Sequence, residues 1–282
     1  MTTKKNDAKE LNGIITDIQH FSVHDGPGIR TSVYFKGCNM DCVWCHNPET
    51  ICFEPEFMLY GERCIGCGKC QEGCFAGAKI ECGKRYTVSE LVAEIADDKP
   101  YYKDSGGVTL TGGEPTCQAD FAEAVLKECR VQGIKRAVET NMTRSWSTLV
   151  RVLCLCNYIM CDLKAWDKDL HIKCTKIAND RIIENIIKMD SLGIPFTLRT
   201  VVVPGVMDSA DEIKNIAGFA AGLKNIEAYE LLSYHALGSS KIIENKAQRQ
   251  KFETPSLELM NKLADIARGE GVTVKIDAKK TI

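Results

Sequence analysis

Three cysteines, Cys38, Cys42 and Cys45, lie in Gly37-Cys-Asn-Met-Asp-Cys-Val-Trp-Cys-His-Asn-Pro48, with three and then two residues between them. A cubane iron–sulfur cluster has four irons and is normally held by four thiolates. A tight loop that supplies three thiolates leaves one iron open to another ligand, and an open iron is where chemistry occurs. The structural alternatives are a zinc knuckle and a complete ferredoxin-type cluster that borrows a distant thiolate. Zinc sites come as paired Cys-x2-Cys or Cys/His sets that close a tetrahedron, and no second pair matches this spacing.

A second run, Cys64-Ile-Gly-Cys67-Gly-Lys-Cys70-Gln-Glu-Gly-Cys74, has the two-two-three spacing of bacterial ferredoxins and points to one auxiliary 4Fe-4S cluster with thiolate ligation. In two-cluster ferredoxins the last cysteine of such a run serves the other cluster. Here there is one run, and Phe75 stands where the ferredoxin pattern has proline. The fourth ligand is therefore open between Cys74, Cys82 and Cys52.

Fifteen cysteines in 282 residues would suggest disulfides in a secreted chain. The N-terminal Met-Thr-Thr-Lys-Lys-Asn-Asp-Ala-Lys-Glu lacks an apolar signal region, and no apolar stretch reaches the roughly 20 residues of a membrane span. A cytoplasmic protein is expected, with the grouped cysteines used for clusters. Cys117, Cys129, Cys154, Cys156, Cys161 and Cys174 are assigned to packing, because a free cysteine behaves as a small hydrophobe. Thirty-six basic residues against 38 acidic ones give a net charge of −2, so no global field exists to hold nucleic acid or an anionic membrane.

The elements that must carry these cysteines alternate. Strand candidates are 32–35, 108–111, 136–139, 158–163, 196–203 and 226–232, with a seventh at 272–276. Between them, Thr87 and Glu90 form a capping-box pattern ahead of the apolar face Val88, Leu91, Val92 and Ile95. Helices follow at 119–131, 147–156, 181–192, 210–223 and 256–268, with Gly133 and Gly193 positioned as C-terminal caps. Alternation of this kind favours an α/β fold with a parallel sheet and right-handed crossovers. Ligands of such sheets gather at the C-terminal strand ends. Arg199, in Thr197-Leu-Arg-Thr-Val-Val-Val-Pro204, is a cation inside an apolar strand and requires a carboxylate partner. Within the chain, Asp162 or Glu139 would serve.

The three-plus-two spacing resembles the signature of radical S-adenosylmethionine (SAM) enzymes. The longer frame, Asp25-Gly-Pro-Gly-Ile-Arg30, Phe35-Lys-Gly-Cys38 and Cys45-His-Asn-Pro48, is similar to the activating enzymes of glycyl radical enzymes. The resemblance runs from about Gly13 to Gly238. It implies a partial (β/α)6 TIM-type barrel over 12–50 and 84–282, a small ferredoxin-like iron–sulfur insertion at 51–83 and a disordered tail at 1–11. Cys38, Cys42 and Cys45 would hold the SAM-ligating 4Fe-4S cluster.

By the same resemblance, SAM would be received by Trp44, by Gly112, Gly113 and Glu114 of Thr111-Gly-Gly-Glu-Pro115, by Glu139 and Thr140, by Asp162 and Lys164, by Arg199 and by His235. Glu139 and its neighbours would also hold a monovalent cation, although Glu139 is longer than the aspartate commonly found there. Ser233 and Ala236 depart from the family's proline and glutamate around His235. The turn of Asp25, Gly26 and Gly28 would receive the partner's glycyl loop. The implied reaction splits SAM reductively to a 5′-deoxyadenosyl radical, which removes hydrogen from a backbone glycine of a glycyl radical enzyme. Flavodoxin or ferredoxin would supply the electron to a monomeric activase. Rival readings are a radical SAM enzyme acting on a small molecule and a non-catalytic electron carrier built on the Cys64 run. Candidate partners span pyruvate formate-lyase, diol and hydroxyproline dehydratases, choline and sulfonate lyases and decarboxylases, with the insertion weighing against the simplest formate-lyase activases.

Overall fold

The computed structural model describes residues 10–70, 73–277 and 279–280. Of the tail expected to be disordered, residues 1–9 lie outside this range. The chain opens with β1 (Asn12–Ser22) and β2 (Arg30–Phe35), then forms β3 (Glu56–Leu59), β4 (Lys79–Cys82) and β5 (Lys84–Thr87). Strands β6 (Gly107–Gly112), β7 (Lys135–Thr140), β8 (Tyr158–Asp162), β9 (Phe196–Val202) and β10 (Ile226–Ser233) follow, each separated from the next by helix. Short β11 (Ile242–Ile243), β12 (Val274–Ile276) and β13 (Lys279–Lys280) complete the strands.

The main sheet runs β13-β12-β10-β9-β8-β7-β6-β2-β1-β5. From β2 through β10 every adjacent pair is parallel, and β12 continues the parallel run. The sheet keeps two edges, β5 and β13, so it is an open barrel segment. Each expected strand is present, the seventh as β12. The periodicity did not bring out the antiparallel cover, in which β1 pairs with β2 on one side and with β5 on the other. Strand β1 reads Asn-Gly-Ile-Ile-Thr-Asp-Ile-Gln-His-Phe-Ser and bulges twice against β2, which breaks the period of two that marks a strand.

Local chemistry sets the helix ends. Thr87 caps Val88–Asp97 with both halves of the capping box, accepting from Glu90 N while the Glu90 carboxylate takes Thr87 N–H. Ser256 accepts from Leu259 N at the start of Leu257–Gly269. Gly133 and Gly193 take left-handed conformations after their helices, as read from the sequence. The core lies between sheet and helices: Val33, Val108, Leu110, Val138, Ile159, Leu198 and Leu231 meet Leu91, Ile95, Leu126, Val152, Ile186, Ile213 and Leu263, all buried. Truncating one such leucine to alanine costs about 2–5 kcal/mol. Cys129, Cys156, Cys161 and Cys174 are buried in agreement with a packing role, whereas Cys154 is exposed and Cys117 half-buried. Among the described residues no helix is long and apolar enough to cross a membrane.

A second sheet, β11-β3-β4, is built on the 51–83 segment, with its third strand borrowed from residues 242–243. Buried Lys36 ties this sheet to the main one through Glu56 and the carbonyl of Glu49.

Candidate functional site

A cavity of about 530 Å³ opens at the C-terminal ends of the parallel strands. Cys38, Cys42 and Cys45 line it, together with Trp44, Gly112, Gly113, Glu139, Thr140, Asp162, Lys164, Arg199, His235 and Asp25. The Gly113 Cα lies so close to the cysteine loop that a Cβ there would stand 2.5 Å from Gly37 O and 2.8 Å from Thr50 O. Only a glycine lets this strand end reach the loop.

The loop is held by its backbone. Cys38 N donates to Ile51 O, and Asp41 N and Val43 N donate to the carbonyls of Thr175 and Cys174. Those carbonyls close the helix Lys168–Thr175, where the last turn leaves acceptors without intrahelical partners. This helix escaped the sequence reading because its apolar face is weak. From the far side Arg249 donates to Cys42 O and pairs with Asp41. Gly238 packs on the third cysteine, so that a Cβ there would lie 2.4 Å from Cys45 O.

Burial raises the thiol pKa of all three cysteines, that of Cys42 to about 12, against the opposing pull of Lys164 on Cys42. Buried thiolates persist only beside positive charge. Three thiols at this spacing, lining one cavity, fit the ligand set of an iron–sulfur cluster. Among the described residues, no three His, Cys, Asp or Glu side chains converge as the site of a single ion.

Arg199, buried in β9, is already matched within the protein. Its Nε donates to Glu230 at 2.8 Å, its Nη1 lies 3.3 Å from Glu139, and its Nη2 donates to His24 O. Of the partners read from the sequence Glu139 is used, Asp162 is not, and the reading missed Glu230. The signal was present: Glu230 is an acid inside an apolar strand, and parallel pairing sets it beside Arg199. Asp162 instead pairs with Lys164 at 3.0 Å, and its Oδ1 is buried with no hydrogen-bond partner among the described residues. Trp44 Nε1 is in the same condition. Burial raises the Asp162 carboxyl, and the adjacent carboxylate holds Lys164 charged.

Glu114 departs from expectation. It is wholly buried and does not line the cavity. Its carboxylate accepts from Thr116 N, Thr116 Oγ1, Thr140 Oγ1 and Asn141 N, at 3.0, 2.5, 2.9 and 2.7 Å. Burial raises its pKa and these donors pull it back. Glu114 thus joins the end of β6 to the end of β7, and Thr140 meets the cavity while its hydroxyl serves Glu114. His235 stands edge-on to His46, ring centroids 4.2 Å apart.

At the cavity rim, Asp25 accepts from Ser22 and Ser32. Gly26 and Gly28 do not line the cavity; Gly28 packs on the backbone of Gly106. Buried Arg30 fixes this turn, donating to Pro27 O, Val108 O and Thr109 Oγ1, while Thr109 donates to Asp25 O. The sequence reading gave Arg30 no part in this.

The Cys64 run lies in the second sheet's loops. Cys64, Cys67 and Cys70 are exposed, and Cys52 and Cys74 half-buried. The Ala78 N–H donates to Cys74 Sγ at 3.2 Å, and such backbone donors lower the Cys74 pKa. Buried Cys82 is shifted the other way by desolvation.

Residues 32–220 match the family model described as the Radical SAM superfamily. The trans-4-hydroxy-L-proline dehydratase activating enzyme of Clostridioides difficile is 33% identical, over 94% of this chain and 99% of its own. The isethionate sulfite-lyase activating enzyme of Nitratidesulfovibrio vulgaris is 35% identical, over 83% of this chain and 87% of its own. Among solved structures, a domain of a pyruvate-formate lyase-activating enzyme from Bacteroides vulgatus superposes with a TM-score of 0.52 at 31% identity, covering 61% of this chain and 98% of that domain. Streptococcus suis SuiB shares the fold, with a TM-score of 0.57 at 16% identity over 87% of this chain and 47% of its own.

Proposed function

We propose a glycyl radical enzyme activating enzyme, starting from the fact that this chain belongs to the radical SAM superfamily and, within it, to the activating enzymes. The observation that carries the reading is the convergence of Cys38, Cys42 and Cys45 on one cavity with the ends of six parallel strands. When bound there, a 4Fe-4S cluster supplies the electron that splits SAM into methionine and a 5′-deoxyadenosyl radical, which takes hydrogen from the partner's glycine. The protein's share is to bind, orient and exclude water.

In this reading Gly112 and Gly113 bring the end of β6 against the cysteine loop, where the methionine end of SAM is received, and Trp44 offers an unpaired indole N–H. Arg199, matched by Glu139 and Glu230, shapes the floor of the cavity, and Lys164, paired with Asp162, also lines it. The unpartnered Asp162 oxygen beside the Glu139 carboxylate supports a monovalent cation there. His235 contributes through its edge contact with His46.

Residues 51–83 act as the cluster-bearing insertion into the barrel of 12–50 and 84–282. One auxiliary 4Fe-4S cluster is held by Cys64, Cys67, Cys70 and Cys74, with Cys82 or Cys52 as the alternative to Cys74; the Ala78 backbone N–H that donates to the Cys74 sulfur supports Cys74. Flavodoxin or ferredoxin delivers the electron. The enzyme is read as a monomer. The rigid turn of Asp25, Gly26 and Gly28 receives the glycyl loop, beside the exposed apolar Phe21 and Val23. Relatives serving four different partners lie at 32–35% identity, so candidate partners are to be compared directly.

The test is anaerobic reconstitution with SAM and dithionite, following 5′-deoxyadenosine, then addition of candidate glycyl radical enzymes with detection by electron spin resonance. Expected are SAM cleavage lost in Cys42→Ala and retained in Cys67→Ala, and a glycyl signal with the cognate partner. Cleavage persisting in Cys42→Ala would refute the site.

A further inference from the structure

Asn141 follows β7 directly and is 6% exposed. Its backbone N–H is fixed by Glu114 Oε2. Its side chain belongs to a closed ring of directional bonds. Asn141 Oδ1 accepts from the backbone N–H and hydroxyl of Thr143, at 3.1 and 2.6 Å. The Thr143 hydroxyl accepts from Asn39 Nδ2 at 2.6 Å, and Asn39 Oδ1 accepts from Asn141 Nδ2 at 3.2 Å. Turning either amide over would set donor against donor, so the ring fixes both orientations. The Asn141 amide then has one N–H on Asn39 and a second to give, and its nitrogen lies 3.8 Å from Cys38 Sγ.

We propose that Asn141 is a positioning residue for the Cys38 sulfur, and that its amide raises the reduction potential of the cluster held by Cys38, Cys42 and Cys45. This rests on the functional reading above. A donor to a ligating sulfur stabilises the reduced, more negative cluster more than the oxidised one, and hydrogen bonds to sulfur are among the factors that set such potentials. Backbone donors inside the loop, from Met40 to Cys38 and Asn47 to Cys45, are part of the loop's own conformation. Asn141 arrives from just beyond β7, outside the loop, where it both faces the Cys38 sulfur and holds the Asn39 side chain. Glu114 acts one step further out, by holding the Asn141 backbone.

The test is a redox titration of the full-length anaerobic holoenzyme, wild type against Asn141→Ala. It follows the electron spin resonance signal of the reduced cluster that changes on adding SAM, which separates it from any auxiliary cluster. Asn141→Ala is expected to lower the reduced-to-oxidised ratio about tenfold at a fixed poise, equivalent to a midpoint about 59 mV more negative for one electron. Thr143→Val, which frees the amide without removing it, is expected to give a smaller fall of the same sign. An unchanged midpoint in Asn141→Ala overturns the proposal. If that variant takes up no cluster, an unchanged midpoint in Thr143→Val overturns it instead. A wild-type protein with no SAM-responsive cluster signal would sink the functional reading, and this proposal with it.

Discussion

Replacing Arg199 with methionine tests the buried charge arrangement of the cavity floor. The guanidinium stands 2.8 Å from Glu230 and 3.3 Å from Glu139. At an effective dielectric of about 20, these separations correspond to gross attractions of about 6 and about 5 kcal/mol. Most of that offsets the cost of desolvating three charges. Removing one partner of a buried pair then costs about 3–5 kcal/mol, because the remaining carboxylates are left uncompensated. For a chain of this size that is a fall in Tm of about 5–8 °C. The loss should depend on pH. Burial alone would raise the Glu139 carboxyl, but Arg199, Thr111 and Lys164 together outweigh it and hold it below the ordinary range. In the wild type its contribution is therefore present above the unfolded value of about 4.3 and lost as pH falls through the lower folded value. Without Arg199, burial drives Glu139 upward, and stability is lost as pH rises through the raised value. Anaerobic thermal unfolding of both proteins at about pH 5 and about pH 8 should show a deficit that grows toward the higher pH. A deficit below about 1 kcal/mol at the higher pH, within the range of surface pairs, or an equal deficit at both, would refute the argument.

Arg30→Lys keeps a charge but cannot reach Pro27, Val108 and Thr109 together. It should loosen the Asp25–Gly28 turn at a cost of about 2–3 kcal/mol, from two or three lost hydrogen bonds; 5′-deoxyadenosine release should persist while glycyl radical yield falls, and equal loss of both would contradict this division. Gly238→Ala places a Cβ 2.4 Å from Cys45 O and should displace the third cysteine, read as a fall in iron retained per chain after reconstitution; wild-type iron content would show that the segment yields. Thr87→Ala removes the side-chain half of a capping box, leaving the backbone N–H that donates to the Glu90 carboxylate, and should cost about 1 kcal/mol in urea unfolding, with cluster content unchanged.

The parallel strands were legible because each is a short apolar β-branched run bounded by turn residues, and the cavity followed from where such strands end. The cysteine loop was legible because spacing alone defines it. What could not be read were contacts made by residues distant in sequence. Arg249 reaches Cys42 O across 207 residues, and nothing local to Arg249 marks it. Glu114 was misplaced because the sequence gives its type and strand end but not its direction. Four donors, from Thr116, Thr140 and Asn141, draw its carboxylate inward, away from the cavity. Glu230 was readable in principle, since a lone cation on one strand calls for an acid on its neighbour. The helix Lys168–Thr175 was hidden by a weak apolar face, yet its final carbonyls hold the cysteine loop.

The segment from His235 to Arg249 passes Cys45 at Gly238, binds Glu49 through Lys241, adds β11 to β3 and returns to Cys42. The cluster loop and the second sheet are thus both closed by residues made late in synthesis. Closing a loop of that length adds little entropy per added residue, but it defers the contact until the rest of the sheet exists to receive it. A nascent chain would therefore display its cysteines on an unroofed loop. The loop would then be fixed in place from its far side only by the last folding step.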